Sequence, residues 1–527
     1  MQTPVCQTRP HPSDTCAACA LAALITMRIA HQTLGLTLYL LLCPWSLAAQ
    51  PTNDARAQLE RAIDEVLDTE ALANGWWGVM VVEMQTGEVL YRRHAERSFV
   101  PASNTKLYTT AAALDLLGPG YRYRTEVFID GPIVDGVLEG NVIVRGSGDP
   151  VIGGRFNGGD RTEVFRAWAD SLRARGITRI NGDLIGDDDV FDDTPLGYGW
   201  SWDDETYWYA AEISGLSFND NNVDFAIEAR RQGQPARITW QPFNTDYVRV
   251  VNRTLTTSAE LRLDEGYARA RGTNTIELSS RVPEGRTDFE SLTIANPTRF
   301  FVHVLREVLL QAGLAVEGRP VDIDDLSIKP DYARYQRVAV HRSPPLAEIV
   351  KVINKRSQNL YAEQVLRTLA VENPLDDKDM EPGSAEMGLE IAMGTFVKAG
   401  IDTSRIQLVD GSGLSRMNLV TPAMTMALLR YMGHHPEASV QRAFVESMPI
   451  GGQDGTLQFR FQQGSARGKV RAKTGTLSNV SVLSGYVPSA EGSSLAFVLM
   501  GNHHTAKGKV VRAAQDRVVN LLAEYRR

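Results

Sequence analysis

Phe99-Val-Pro-Ala-Ser103-Asn-Thr-Lys106-Leu-Tyr-Thr-Thr-Ala-Ala-Ala-Leu114 is the stretch on which the reading of this chain turns. Its spacing predicts a helix that opens at Ser103 and carries Leu107, Ala111 and Leu114 on one side. Gly118-Pro119-Gly120 supplies the stop. Positions three apart on a helix are nearly one turn apart, so Lys106 falls on the same face as Ser103. A serine hydroxyl is a poor nucleophile until a base within hydrogen-bond reach takes its proton. Lysine titrates near ~10.4 in water and serves as that base only where burial or neighbouring positive charge lowers its pKa. A serine here also suits a helix N-cap, so the pair by itself does not decide between chemistry and capping.

Two further motifs tip the balance. Ser357-Gln-Asn359 follows a loop, and Lys473-Thr-Gly475 lies on a predicted strand edge. Lys473 offers the positive charge that lowers Lys106 and attracts a terminal carboxylate. The hydroxyl of Ser357 relays a proton to a leaving amine, and the amide of Asn359 holds both Lys106 and a substrate backbone. Gly475 lets the edge approach a ligand closely, and Thr474 and Thr476 flank it on the same edge. The N–H groups of Ser103 and Thr476 are the expected oxyanion hole, each such donor lowering an acyl-transfer barrier by about 3 kcal/mol.

Around these motifs the chain changes texture twice. Leu59, Ile63, Val66 and Leu67 mark a helix, Trp77–Glu83 a strand, and Gly87 the turn into a second strand over 89–92. Short strands at 125–129, 137–140 and 141–145, a helix bearing Val164, Phe165, Trp168 and Leu172, and strands at 223–229 and 275–278 fill the middle. Helical periodicity resumes at 346–353 and 357–369. Strands at 480–487 and 495–501 precede a last helix with Val510, Val511, Val518, Leu521 and Leu522 on its apolar face. The expected organisation is a leader over 1–49, a first catalytic part over 50–120, one or two strand-rich inserted domains over 121–334, and a second catalytic part over 335–527.

The leader reads as a secretory signal: Arg28 and His31, an apolar run over 34–42 too short to span a bilayer, then Ser46-Leu-Ala-Ala49, with Met27 as an alternative start. The expected location is the periplasm, with membrane association peripheral at most. All four cysteines (Cys6, Cys16, Cys19, Cys43) fall in that leader, which removes cysteine nucleophiles, thiolate metal sites and redox chemistry from the mature chain. A net charge of −8 over 527 residues argues against nucleic acid and an anionic membrane as partners. The 43% apolar and 22% charged residues are ordinary for a soluble globular protein.

The ordered trio is the signature of penicillin-binding proteins and class A β-lactamases. The chain resembles the penicillin-binding D-Ala-D-Ala carboxypeptidases of the low-molecular-mass class C group, peptidase family S13. Gly146-Ser-Gly-Asp-Pro150, Gly182-Asp-Leu-Ile-Gly-Asp187, Asp410-Gly-Ser-Gly-Leu-Ser-Arg416 and Pro449-Ile-Gly-Gly-Gln-Asp-Gly-Thr456 extend the likeness. So does the long gap between the first and second motifs. The resemblance implies an α+β fold: a transpeptidase-like domain with helices around a five-stranded antiparallel sheet, split by an insert that folds separately. It implies an acyl-enzyme on Ser103, peptidoglycan stem peptides as substrates, β-lactams as inhibitors, and no cofactor. It also implies a side-chain pocket in which Asp204 meets the amine of a diaminopimelate-type residue, with Tyr209, Arg416 and Leu477 around it.

Competing readings are a β-lactamase on the same scaffold and a non-catalytic cell-wall binding protein. The first requires a deacylating base that no motif supplies, and the second sits badly with competent residues at every triad position. Asp187-Asp-Asp189 with Asp192 and Asp193 reads as a solvated turn, His503-His504 as surface rather than metal, and Arg230-Arg231 as an exposed pair. Trp200, Trp202 and Trp208 read as packing between domains, Trp202 doubling as a possible carbohydrate platform.

Overall fold

Strands from both ends of the chain build one five-stranded antiparallel sheet, ordered Val89–Arg93, Trp76–Glu83, Ser494–Asn502, Val480–Pro488, Arg471–Leu477. The computed structural model that shows this describes residues 52–377 and 379–527. The expected leader and its four cysteines lie outside the described residues. Leu495-Ala-Phe-Val-Leu-Met500 is continuously apolar because its strand is central and covered on both faces. Helices Thr52–Leu67 and Gly508–Glu524 cover one face, where Ile63, Val518 and Leu522 join Val79, Leu483 and Phe497 in one core. Helix Pro422–Gly433 and the helices behind it cover the other. Each fully buried Leu or Phe contributes roughly 1.5–3 kcal/mol.

The helix that follows the nucleophile motif, Thr105–Leu116, departs from the one-sided pattern expected of it. Every residue from Thr105 to Leu114 is buried, Lys106 included. Helices Leu346–Arg356, Asn359–Glu372 and Ala385–Lys398 enclose it. The small Ala111-Ala-Ala113 face gives those neighbours room to close in, so periodicity weakens where a helix is buried all round.

The middle of the chain has its own core around Phe165, Trp168, Phe218, Phe300 and Phe301. Its largest sheet runs Pro320–Asp322, Leu184–Asp187, Val142–Arg145, Arg124–Ile129, Gln336–Arg342. The last of these lies beyond residue 334 and pairs antiparallel with Arg124–Ile129, so the strand-rich layer continues to Arg342. A second sheet pairs Asn222–Glu228 with Arg237–Gln241 and Thr287–Thr293. This region is not sealed off. Val151, Phe191 and Ile213 pack into the core of the catalytic region, and the described residues form one compact unit. Two cores are joined by shared apolar side chains. Among the described residues no helix is long and apolar enough to cross a membrane.

Candidate active site

Ser103 lies in a single 3-10 turn, Ala102–Asn104, that leads directly into helix Thr105–Leu116. Ala102 takes a left-handed φ of 46°, a conformation L-residues avoid unless their surroundings impose it. Two glycines impose it. Gly413, itself at φ +80°, presses so close that a Cβ there would overlap the Ala102 carbonyl. Gly475 on the edge strand approaches from the other side, where a Cβ would stand 2.8 Å from the Pro101 carbonyl oxygen. Close approach was expected at Gly475, but toward a ligand; its first use is to let the strand reach the serine turn. The Asn104 amide fastens the contact by donating to the Lys473 carbonyl at 3.2 Å.

Lys106 is wholly buried, and its Nζ reaches three oxygens: Ser103 Oγ at 3.1 Å, Asn359 Oδ1 at 2.6 Å and the Ser412 carbonyl at 2.6 Å. Burial pulls its pKa from 10.5 to about 7, against the opposing pull of Asp410 and Glu363. The arrangement has a defined neutral form. Two of the three oxygens can only accept, so the two hydrogens of a neutral amine go to Asn359 and Ser412, and the lone pair faces the Ser103 hydroxyl. That is the geometry of a base. Of the two causes the sequence allows, burial is the one that lowers it; Lys473 is not among the charges that act on it.

Lys473 is equally buried and donates to Ser357 Oγ at 2.9 Å and to the Thr474 carbonyl at 2.8 Å. Burial, then the charge of Lys106, hold its pKa well below the usual lysine range. Ser357 does not follow a loop. It stands at φ 60° as the left-handed link between helices Leu346–Arg356 and Asn359–Glu372. Asn359 opens the second helix, its Oδ1 on Lys106 and its Nδ2 donating to the Tyr209 carbonyl at 2.6 Å. One amide hydrogen expected for substrate is thus engaged by the protein. Thr474 bonds Thr456 through their hydroxyls at 2.8 Å, and Thr476 pairs with Ser481 across the sheet edge. Serine, both lysines, Ser357, Asn359 and the edge strand meet in one cleft.

A buried acidic scaffold behind Lys106 escaped the sequence reading. Glu363 accepts from the backbone N–H groups of Gly411 and Ser412, and Asp410 from those of Gly413 and Ser415. Asp410 also accepts from Asn418 Nδ2 at 2.8 Å and Trp200 Nε1 at 3.0 Å. These bonds shape the 410–416 loop so that its Ser412 carbonyl meets Lys106. Arg367, buried on the same helix as Glu363, lies 3.5 Å from it and bonds Asp192 at 3.2 Å. The Glu363/Arg367 spacing of i,i+4 on an expected helix was the available signal.

Asp192 belongs to the run expected to be a solvated turn; Asp189 and Asp193 are exposed as expected, but Asp187, Asp188 and Asp192 are not. Asp187 is buried and bonded by the Tyr332 hydroxyl. Asp188 accepts from Ser214 and Thr298, and burial lifts its carboxyl to about 7. His504 is buried too, held through Nδ1 by the Ala506 carbonyl at 3.2 Å, while His503 is exposed as expected. The tryptophans differ among themselves: Trp200 anchors Asp410, Trp208 lies edge-on to Tyr209, and Trp202 is 69% exposed rather than packed. Arg230 and Arg231 are exposed.

Asp204, Tyr209 and Arg416 come together, with Leu477 one residue from the Ser478 carbonyl that Arg416 reaches. Asp204 ends a 3-10 turn, Trp202–Asp204, and accepts from the Tyr209 hydroxyl at 3.0 Å. Burial raises its pKa, and the nearby charge of Arg416 opposes the rise. Arg416 donates to the Ser478 carbonyl at 3.0 Å, one residue from Leu477, which packs half-buried against the catalytic core. The Asn359–Tyr209 bond ties this pocket to the lysine cleft.

Comparison with known proteins gives the chemistry a lineage. Residues 59–525 match the D-Ala-D-Ala carboxypeptidase 3 (S13) family. The chain belongs to this family. A D-alanyl-D-alanine carboxypeptidase of Actinomadura sp. (strain R39) is 34% identical over 481 residues, 89% of this chain and 85% of that protein. The D-alanyl-D-alanine carboxypeptidase DacB of Haemophilus influenzae is 26% identical over 445 residues, 81% and 85% of the two chains. In fold, the crystal structure of penicillin binding protein 4 from Haemophilus influenzae superposes with a TM-score of 0.73 at 24% identity, covering 88% of this chain and 99% of that one. The protein is a serine hydrolase of the S13 family with its α+β fold.

Proposed function

We propose that this S13 enzyme removes or cleaves after D-alanine in peptidoglycan stem peptides through an acyl-enzyme on Ser103. Neutral Lys106 takes the proton of the Ser103 hydroxyl as Oγ bonds to the carbonyl carbon of the D-alanyl peptide bond. The N–H groups of Ser103 and Thr476 hold the oxyanion. The proton passes from Lys106 by way of Ser357 and Lys473 to the departing nitrogen as the C–N bond breaks. Water then repeats the sequence on the ester and frees Ser103. Lys473, which has no carboxylate partner among the described residues, receives the substrate's terminal carboxylate along the Thr474–Thr476 edge. Asp204, Tyr209, Arg416 and Leu477 take the amine-bearing side chain of the stem.

The observation that carries this reading is the Lys106 Nζ shared by Ser103 Oγ, Asn359 Oδ1 and the Ser412 carbonyl. It favours a peptidase over a β-lactamase, because Glu363 and Asp410, the carboxylates whose charge reaches Lys106, are buried on backbone N–H groups and not free to activate a deacylating water. The same competent cleft argues against a purely binding role. β-Lactams therefore form a long-lived adduct on Ser103. The leader over 1–49, read as a signal peptide, supports a periplasmic location, where this substrate lies.

The test is to incubate the protein with defined crosslinked and uncrosslinked muropeptides and weigh the products. Released D-alanine marks carboxypeptidase action and monomers from dimers mark endopeptidase action. Neither product, from protein that still takes up benzylpenicillin, removes the substrate assignment.

A further inference from the structure

Beside the Ser357–Asn359 segment, where the middle region meets the catalytic one, lies a cleft of about 690 Å³ that the chemistry above does not use. Gln358 and Tyr361 form its floor, the loop over 151–161 one wall, and Asn222, Asp224 and Phe289 another. Phe289 is 73% exposed at its rim, an uncommon place for a large aromatic ring, and Trp208 lines it one residue from Tyr209.

Two features say what kind of molecule it takes. First, its charges cancel: Arg155 pairs with Asp220 at 2.5 Å and Arg161 with Asp224 at 2.8 Å, and Arg356 and Glu290 add one of each sign. Such a lining presents directional donors and acceptors without a net field, which suits a neutral polar ligand better than a charged peptide. Second, two of its lining residues carry buried acceptors that lack donors. Gln358 is 3% exposed and Asn222 2%, yet Gln358 Oε1 and Asn222 Oδ1 are both without a hydrogen-bond partner. Buried acceptors of this kind carry a desolvation penalty that an O–H or N–H donor relieves. Gln358 Nε2 is already fixed on Asp220 at 2.9 Å, which keeps Oε1 as the free end.

An exposed aromatic ring at the rim, a second aromatic in the lining and paired charges on the walls together suit a sugar ring with hydroxyl and acetamido groups. We propose that this cleft binds a neutral N-acetylated saccharide, the glycan that carries the stem peptide. The proposal rests on the peptidoglycan reading given above and deepens it: the enzyme holds its polymer by peptide and sugar at once, on two sides of Gln358. The sugar belongs either to the strand that acylates Ser103 or to the strand that leaves.

The experiment compares kcat/KM on three matched substrates: a free stem peptide, the same peptide on a disaccharide, and a crosslinked dimer with a disaccharide on the leaving strand alone. Phe289→Ala and Asn222→Ala are run beside the parent protein, and benzylpenicillin uptake on Ser103 reports an intact catalytic cleft throughout. A preference of roughly tenfold for one disaccharide substrate is expected, about 1.4 kcal/mol of binding. It should fall several-fold in Phe289→Ala while penicillin uptake persists, and the preferred substrate tells which strand supplies the sugar. Equal rates on all three substrates overturn the proposal, as does a preference that both variants retain. Loss of D-alanine release from every substrate, with or without sugar, defeats the peptidoglycan reading instead.

Discussion

The lysine cleft and the side-chain pocket lie one hydrogen bond apart and are held by opposite means. In the cleft, Lys106 and Lys473 are wholly buried and each amine is fixed by several partners. In the pocket, Asp204 and Arg416 are partly open, and single bonds to Tyr209 and the Ser478 carbonyl hold them. Burial lowers an amine's pKa and fixes it in place, as the proposed base needs; exposure would let the proposed pocket exchange water for a substrate amine at little cost. Reaction and selection therefore respond differently to substitution.

The largest effect expected is on the cleft. Ser103→Ala should abolish β-lactam adducts seen by intact-protein mass and lower D-alanine release by about 10³-fold or more. Lys106→Ala should slow acylation by roughly 10²–10⁴-fold with the fold unchanged by circular dichroism. The pH profile sharpens the point. Because burial places the Lys106 pKa at about 7, the base is neutral above that pH. The acylation rate should rise with pH and level off just above 7, and a midpoint near that of free lysine would break the comparison.

Gly413→Ala tests whether the cleft is built by its walls. A Cβ at φ +80° against the Ala102 carbonyl should cost about 1–3 kcal/mol in denaturant unfolding and reduce acylation as well. Asp204→Asn should act on the pocket alone. It should lower kcat/KM by about tenfold for stems with a free side-chain amine, since a half-exposed ion pair contributes modestly, and spare β-lactam acylation. An equal loss on amine-free stems would show that the pocket shapes the cleft.

The smallest effect concerns a buried charge with no amine to serve. Asp149 is fully buried; its Oδ2 makes no hydrogen bond and lies 3.6 Å from His341 Nε2, and burial lifts its carboxyl to about 7. Folding thus retains a proton that the unfolded chain releases near ~4, so stability falls as the pH rises from there to about 7 and stays low above it. Asp149→Asn should raise stability by about 1 kcal/mol at pH 8 and change little at pH 5, read from thermal melts.

The proximity of Ser103 to Lys106 was legible because both sit in one short motif whose spacing reflects local geometry; that Asn359 reaches Lys106 and Ser357 reaches Lys473 shows only in the folded chain. The strands and helices at both ends of the catalytic region were legible for the same reason: periods of two and 3.6 are written into neighbouring residues. The reading failed where partners are distant. Asp187, Asp188, Asp192 and His504 look like solvent-facing residues in sequence, yet Tyr332, Thr298, Arg367 and the Ala506 carbonyl reach them from other elements. The continuation of the strand-rich layer to Arg342 was hidden because its partner strand lies some two hundred positions earlier.

Sequence alone therefore determined the family motifs, with Ser103 and Lys106 as candidate nucleophile and base, and the α+β architecture, since local spacing and residue chemistry encode them. Only the tertiary structure decided that Lys106 is held by Ser412, that Gly413 and Gly475 force the Ala102 turn, and that Glu363 and Asp410 shape the loop behind. A pKa depends on how much water and how many charges surround a group, and those are set by segments hundreds of residues apart that meet only when the chain has folded.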